Sequence, residues 1–547
     1  MRLPGGVPTA HLDTFARSVL PAPELFPKFD YSAPFLSQLP DRLNAAETLI
    51  DHAIAEGHGE KPVYFYGDTV WSFGQLLDKA EKIARVLVED FGLVPGGRVM
   101  IRTANTPMAA ACWLAVLKAG GICVSTMALL RARELAFILN RAKISIALCE
   151  TALGEEMELA KSSGADLRHV SYFSPVGSGQ NKEADLDRRV AAKPSGFKNV
   201  ETAADDVALI TFTSGTTGNP KGAMHFHRDI LAVCACWPRV YTLEPDEIVS
   251  GTPSFAFTYG KAAFMMYPMF YRCAAALPTK PTPDAVLETI EWRKVTSLYT
   301  VPTAYHAILQ NMGSRSTSSL RKCTSAGEHL RLKLWEDWRE KTGIKIVNGL
   351  GMTEFLTHFI SETLQVERVG STGRAVPGYT VTVLDEEGKP QPPGQRGRLA
   401  AIGPSGGRYM DDPERQAKFV QNGWNVTGDI MEQDQDGWFW YVDRSDDMIV
   451  SSGYNISAQE VERVVLDHPK VAECAVVGVP DDARGRIVRA CIVLRDPADE
   501  SEDTMREIQE FVKSTIAPYK YPRDIKFLET LPKTLTGKIQ RFMLRDI

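Results

Sequence analysis

The sequence of 547 residues lacks several things, and each absence removes a class of protein. Its longest apolar run, Met108 to Leu117, stops at Lys118, well short of the ~20 residues a helix needs to cross a bilayer. Positive charge is not in excess: 62 basic side chains face 68 acidic ones, for a net charge of −6. No basic stripe for nucleic acid is therefore expected. The opening MRLPGGVPTAHLDTF has no apolar stretch of the roughly 7–15 residues that a secretory signal carries. The nine cysteines form no CxxC pair, and Cys234 and Cys236 sit too close together for a usual zinc half-site. Reduced, buried thiols in a cytoplasmic protein are the expectation. The 44% hydrophobic and 24% charged residues are those of a globular chain, too long at about 100–200 residues per domain for one core.

What is present begins with alternation of strand and helix. Val63 to Tyr66 is β-prone. Ser72 with Gln75 reads as a capping box, and Leu76, Ala80, Ile83, Ala84, Leu87 and Phe91 keep helical spacing up to Gly92. Strands at Val99 to Ile101 and Ile122 to Val124 flank a helix at Pro107 to Leu117, which argues for parallel βαβ units. From Lys161 to Asn199 the periodicity fades into Gly, Ser, Pro and charge, an exposed connection. Strands resume at Val207 to Phe212, Val295 to Val301 and Ile344 to Val347. From about Thr380 the pattern is β-rich, and the last hundred or so residues read as a small α+β unit opened by a Ser457/Glu460 cap.

The most informative segment is TSGTTGNPKG, Thr213 to Gly222, directly after an apolar strand. Glycines let backbone N–H groups approach a polyphosphate, hydroxyls donate, and Lys221 supplies charge. It is not a Walker A loop, because Pro220 precedes the lysine and Gly222 follows it. A kinase-type P-loop is excluded on that order.

With this loop, further motifs follow in order over nearly the whole chain: SAGE at 325–328, NGLGMTE at 348–354, TGD at 427–429, DRSDD at 443–447, SSGYNISAQEVE at 451–462 and PKTLTGKIQR at 532–541. In this the sequence resembles the adenylate-forming superfamily of acyl- and aryl-CoA synthetases, peptide-synthetase adenylation domains and beetle luciferases. The resemblance implies a large N-terminal domain, residues 1–443, of parallel α/β sheets with a β-rich subdomain. It also implies a small mobile α+β domain, 444–547, hinged near Asp446. ATP, Mg²⁺ and CoA are the implied cofactors.

By the same resemblance, Thr213, Ser214, Gly215, Thr216, Thr217, Gly218 and Lys221 would cradle phosphate. Gly327, Glu328, Asn348, Gly349 and Leu350 would meet the nucleotide, with Asn348 where a tyrosine is commoner. Thr353 would touch the α-phosphate, Glu354 with Thr216 would hold Mg²⁺, and Asp429 with Arg444 would take the ribose. Lys538 would bridge carboxylate and α-phosphate, and Ser451, Ser452, Gly453 and Tyr454 would receive the thiol arm of CoA. A single lysine near a chain end is usually a solvated surface residue; the motif around Lys538 reverses that reading.

The acid pocket is expected beside SFAFTYG and the 350–352 segment, with Phe257, Thr258, Tyr259, Gly260, Ala326, Gly327, Gly351, Met352, His227 and His358 around it. Leu350, Gly351 and Met352 leave room where acetate-specific relatives place a tryptophan, so a larger acid is expected. The segments GAMHFHRD and NGLGMTEFLTHFIS are most similar to the benzoate-CoA ligase group and its 2-aminobenzoate branch. An enzyme loading a carrier protein would share every motif, and a luciferase-like oxygenase is favoured by nothing in the chain. A non-catalytic nucleotide binder would be expected to lack Glu354, Asp429, Arg444 and Lys538. Partners are thus a small aromatic acid, ATP and CoA, with neither membrane nor nucleic acid. A homodimer is allowed by the resemblance but fixed by no sequence feature.

Overall fold

A computed structural model describes residues 7–162, 167–179, 181–213, 220–444, 448–532 and 539–547. Two largely parallel sheets dominate it. The first, sheet A, has six strands in the order His169–Phe173, Ile146–Glu150, Arg98–Arg102, Ile122–Thr126, Val207–Thr213 and Lys221–Phe226, with only the last pair antiparallel. The second, sheet B, has nine strands. Its parallel middle runs from Ile346–Met352 through Lys322–Ser325, Ser297–Thr300, Ile248–Gly251 and Ala274–Leu277 to Pro62–Tyr66. Antiparallel pairs close both of its edges.

Helix Pro107–Lys118 touches strands of both sheets and buries every one of its residues. The sequence PMAAACWLAVLK is apolar all round, as a helix covered on every side requires. Thr106 caps it by accepting from the Ala109 N–H, and Pro107 takes the first turn, where no N–H is needed. Its C-terminal Lys118 is fully enclosed yet bonded to both oxygens of Asp51 at 2.7 and 2.9 Å. The Ser72/Gln75 capping box expected from sequence is formed, with both reciprocal bonds.

The connection expected at Lys161 to Asn199 is more ordered than its sequence suggested. It contains strand His169–Phe173 and helix Asp185–Ala191. The strand lies at the edge of sheet A and buries only alternate positions fully. A short edge strand needs little apolar sequence, and this one left no clear pattern.

A third, antiparallel sheet joins Thr380–Leu384, Arg396–Ile402, Val420–Gln421, Trp424–Gln433 and Phe439–Arg444. Beyond it, hairpin Met448–Ser451/Tyr454–Ser457, helix Ala458–Leu466, helix Glu502–Thr515 and a three-stranded sheet gather around their own apolar core, built on Val461, Val476, Ile492 and Val512. Among the described residues no helix is long and apolar enough to cross a membrane.

Candidate active site

The phosphate loop joins two strands that pair with each other. Thr213 ends one and Lys221 opens the next, opposite it in register. Ser214, Gly215, Thr216, Thr217 and Gly218 lie outside the described residues. The Thr213 hydroxyl is buried and has no partner. A buried, unpaired donor at the foot of a glycine-rich loop suits an anionic ligand, since it otherwise costs free energy.

Lys221 reaches across to the far sheet. Its Nζ lies 2.8 Å from Glu354 Oε1 and donates to the Tyr409 hydroxyl at 3.1 Å. That hydroxyl in turn donates to Glu354 at 2.5 Å. Burial alone would raise the Glu354 carboxyl, but Lys221 and Tyr409 outweigh it and hold it below its ordinary value. Glu354 is therefore an ionised, hard oxygen donor. Among the described residues no group of three or more His, Cys, Asp or Glu could hold a metal by itself. That donor set fits Mg²⁺, which takes one or two carboxylates and completes its shell with substrate phosphates and water.

Glu354 is placed by a tight turn. Strand Ile346–Met352 runs through Asn348, Gly349, Leu350 and Gly351, so the NGLGM segment is strand and not the loop after one. A short helical turn, Thr353–Phe355, follows, and Leu356 sits at φ +65°. A side chain at positive φ costs on the order of 1–3 kcal/mol and persists where the surroundings demand it. Here it reverses the chain so that Thr357–Ser361 pairs back on Ile346–Met352.

Three nucleotide-side residues have additional partners. Asn348 spends its amide on the Ser371 carbonyl at 3.0 Å. Glu328 accepts from the Thr303 N–H and hydroxyl at 3.1 and 2.8 Å and from the Gly453 N–H, while withdrawal from water pushes its carboxyl up to about 7. Asp429 is buried and pairs in register with Arg444, the last residue of its strand. Gly327 stands at φ +87° in the same loop as Glu328, beside buried Ala326.

Where the acid was expected lies an aromatic nest. His358 stacks on Trp237 at 5.0 Å, and Tyr259 meets its ring edge-on at 5.3 Å. Burial pulls His358 down to about 3, so the imidazole is neutral, and its Nε2 has no partner. Gly349 makes room for it: a Cβ there would stand 2.7 Å from the His358 ring. Phe257 precedes helix Thr258–Lys261, which carries Tyr259 and Gly260. A Cβ on Gly260 would strike the Ser254 carbonyl at 2.3 Å. Met352 packs against Tyr409 and Phe419.

One sequence expectation needs correction, while Tyr259 keeps its place in the nest, its hydroxyl donating to the Thr324 carbonyl at 3.3 Å and retaining its acceptor side. His227 was expected at the acid; its Nδ1 accepts from the Ala45 N–H at 3.1 Å, with His11 and Asp206 beside it. It starts a helix after the second phosphate-loop strand, and the residue types of GAMHFHRD do not say which way that helix start turns.

The Gly453 hairpin reaches this site from the C-terminal part. Ser452 at φ +49° and Gly453 at φ +78° form the two-residue turn between Ser451 and Tyr454, the φ > 0 pair that suits a hairpin's twist. A Cβ on Gly453 would stand 2.9 Å from Val301, and Tyr454 lies 6.1 Å from the Phe257 ring. Arg484 braces the turn by donating to the Ser452 hydroxyl at 3.1 Å. Asp446 and Lys538 lie outside the described residues. Sequence reasoning missed Tyr409, Trp237, Thr303 and Arg484. None stands in one of the recognised motifs, and each meets its partner through the tertiary fold.

A phosphate loop, an ionised carboxylate held by its lysine and a separate C-terminal unit on the same site define an adenylate-forming enzyme. The model of the AMP-binding enzyme family matches residues 51–408 and that of the AMP-binding enzyme C-terminal domain matches 460–538, so the chain belongs to this family. Its CoA-ligase members use ATP, Mg²⁺ and CoA. Among curated relatives it is similar to the benzoate–CoA ligase of Thauera aromatica, 31% identical over 93% of this chain and 97% of that one. The mitochondrial acyl-coenzyme A synthetase ACSM3 of Mus musculus is 33% identical over 93% and 91%. Among solved structures, the anthranilate CoA ligase AuaEII in complex with anthranoyl-AMP aligns with TM-score 0.72 and 31% identity, covering 93% of this chain and 98% of that one. The amide bond synthetase McbA from Marinactinospora thermotolerans aligns with TM-score 0.82 and 26% identity over 92% and 99%.

Proposed function

We propose that this chain is an ATP- and CoA-dependent ligase that joins an aromatic carboxylic acid, 2-aminobenzoate or a benzoate analogue, to CoA through an acyl-AMP. A carboxylate is a poor acyl donor because its oxygen will not leave. Attack of that carboxylate on the α-phosphate of ATP forms the acyl–O–P bond and releases pyrophosphate. Attack of the CoA thiol on the acyl carbon then forms the thioester, with AMP as leaving group and the thiol proton lost to solvent. The first step brings an anion to a polyanion, so placed positive charge and oriented donors carry most of the catalysis. Lys221 and the Thr213 hydroxyl serve the phosphates, and Glu354 would hold the Mg²⁺ that neutralises charge developing on them. Lys538 is the cation for the carboxylate and α-phosphate.

The observation that carries the aromatic reading is the neutral His358, on the strand next to the one that leads into Glu354, with the rings of Trp237 and Tyr259 packed on it. An aromatic ring stacks there without desolvating a charge. The unpaired His358 Nε2 supports a substrate bearing an amino or hydroxyl substituent, which would satisfy it.

Pyrophosphate release across aryl and short-chain acids, with and without CoA, tests this. Aryl-dependent release, followed by an aryl-CoA thioester, is the expected result. Release without any CoA thioester would favour the carrier-loading alternative, and no acid-dependent release would sink the ligase reading. A preference for short-chain acids would remove the aromatic part alone.

A further inference from the structure

A buried charge cluster ties the C-terminal part to the N-terminal part. Lys520, whose side chain is 4% exposed, places Nζ 2.5 Å from Glu134 and 2.7 Å from Glu460. Glu134 belongs to helix Ala132–Arg141, beside sheet A; Lys520 and Glu460 both belong to the C-terminal part. The second oxygen of Glu134 accepts from the Ala517 N–H at 3.0 Å, again across the boundary, and from the Arg131 N–H at 2.9 Å, which caps its own helix. Tyr519, next to Lys520, stacks on Tyr454 at 4.2 Å. The cluster is thereby connected to the turn that carries Gly453.

The asymmetry matters. If the C-terminal part turns as a body, Lys520 keeps Glu460 and loses Glu134. A buried ion pair resists removal of one partner, because the other charge is left without compensation. The nearby Arg133–Asp467 pair also crosses the boundary at 2.9 Å, but both side chains are about half exposed and such pairs contribute little. Glu134 therefore favours one orientation over any other, and that orientation holds the Gly453 hairpin over Val301 and Phe257.

We propose that Glu134 and Lys520 form an interdomain latch that selects the orientation for thioester formation, Glu134 acting as a positioning residue that never touches a substrate. This rests on the ligase reading above. The test is Glu134→Gln, whose amide oxygen can still accept from the Arg131 and Ala517 N–H groups while its NH₂ replaces the oxygen that Lys520 meets, so the charge and the acceptor for Lys520 are removed together. Adenylation is read by acid-dependent pyrophosphate exchange, and thioester formation by single turnover of purified aryl-adenylate with CoA.

Thioester formation is expected to fall by about 30-fold while adenylation changes by less than about threefold. Arg133→Gln should change neither by more than about twofold. Should Glu134→Gln fail to fold, Glu134→Asp keeps the charge with a shorter reach, and the same split at about fivefold is expected. Equal loss of both half-reactions, or no loss of either, in a folded variant overturns the latch. A wild-type protein lacking both half-reactions would overturn the ligase reading itself, and the latch with it.

Discussion

The proposed preference for a substituted aryl acid turns on His358. Its ring lies flat on Trp237, has Tyr259 against its edge and is too buried to hold a proton near neutral pH. It thus acts as a neutral polar group in an aromatic wall. Replacing it with alanine should raise KM for a substituted aryl acid by about tenfold, the scale of one lost hydrogen bond with some packing, and leave KM for ATP within about twofold. Steady-state kinetics with each substrate varied in turn would check this; a matching rise for ATP would place His358 elsewhere. Glu328 offers a pH-dependent counterpart. Withdrawal from water raises its carboxyl to about 7 in the folded protein from an ordinary 4.5. A raised acid favours the fold while protonated, so its contribution is complete below about 4.5 and lost as pH rises through about 7. Glu328→Gln should therefore melt higher than wild type at pH 8 and no higher at pH 4.5. Thermal melts at the two pH values decide it, and equal shifts at both would point to packing instead of charge.

At the scale of elements, much of the site was legible in sequence because its groups travel on contiguous segments. The phosphate loop sits between two strands, and Glu354 comes directly after NGLGM. The Ser457 cap is seen as its side chain accepting from the Glu460 N–H. Groups supplied by distant segments were not legible. Tyr409 lies 55 residues from Glu354 and Lys520 lies 386 from Glu134, and no spacing rule links residues that only the tertiary fold brings together. Strand His169–Phe173 was missed for another reason: an edge position demands little of its sequence. The Gly453 segment was expected at the thiol arm of CoA, and its packing against Val301 was not legible in the sequence. Its positive φ and the 2.9 Å approach of a Cβ to Val301 mean that alanine both strains the turn and pushes the hairpin off the N-terminal part. Gly453→Ala should slow thioester formation from preformed aryl-adenylate by at least about tenfold and largely spare adenylation. Equal effects on both steps would mean that the turn serves the site only as scaffold.

For the whole molecule, one site must perform two reactions with different attacking groups, and the C-terminal part can present only one face to it at a time. In this structure that face is the Gly453 hairpin, with Glu328 bonded to its backbone and Tyr454 between Phe257 and Tyr519. The core of that part is its own, so it can turn as a unit without exposing its apolar interior, and Asp446 is the position we propose for the turn. We propose that adenylation belongs to a second orientation, in which Lys538 would serve the carboxylate and α-phosphate. Lys538→Ala should lower pyrophosphate exchange by roughly 10²–10³, the scale for one preorganised electrostatic donor, and leave the reaction of preformed aryl-adenylate with CoA near its wild-type rate. Asp446→Pro, by fixing φ at the proposed pivot, is expected to trap the adenylation orientation and so to retain adenylation and lose thioester formation. The two variants are informative as a pair, because opposite losses arise only if each half-reaction uses a different orientation. If both variants lost the same half-reaction, one orientation would serve both, and the Gly453 face would have to accommodate adenylation as well.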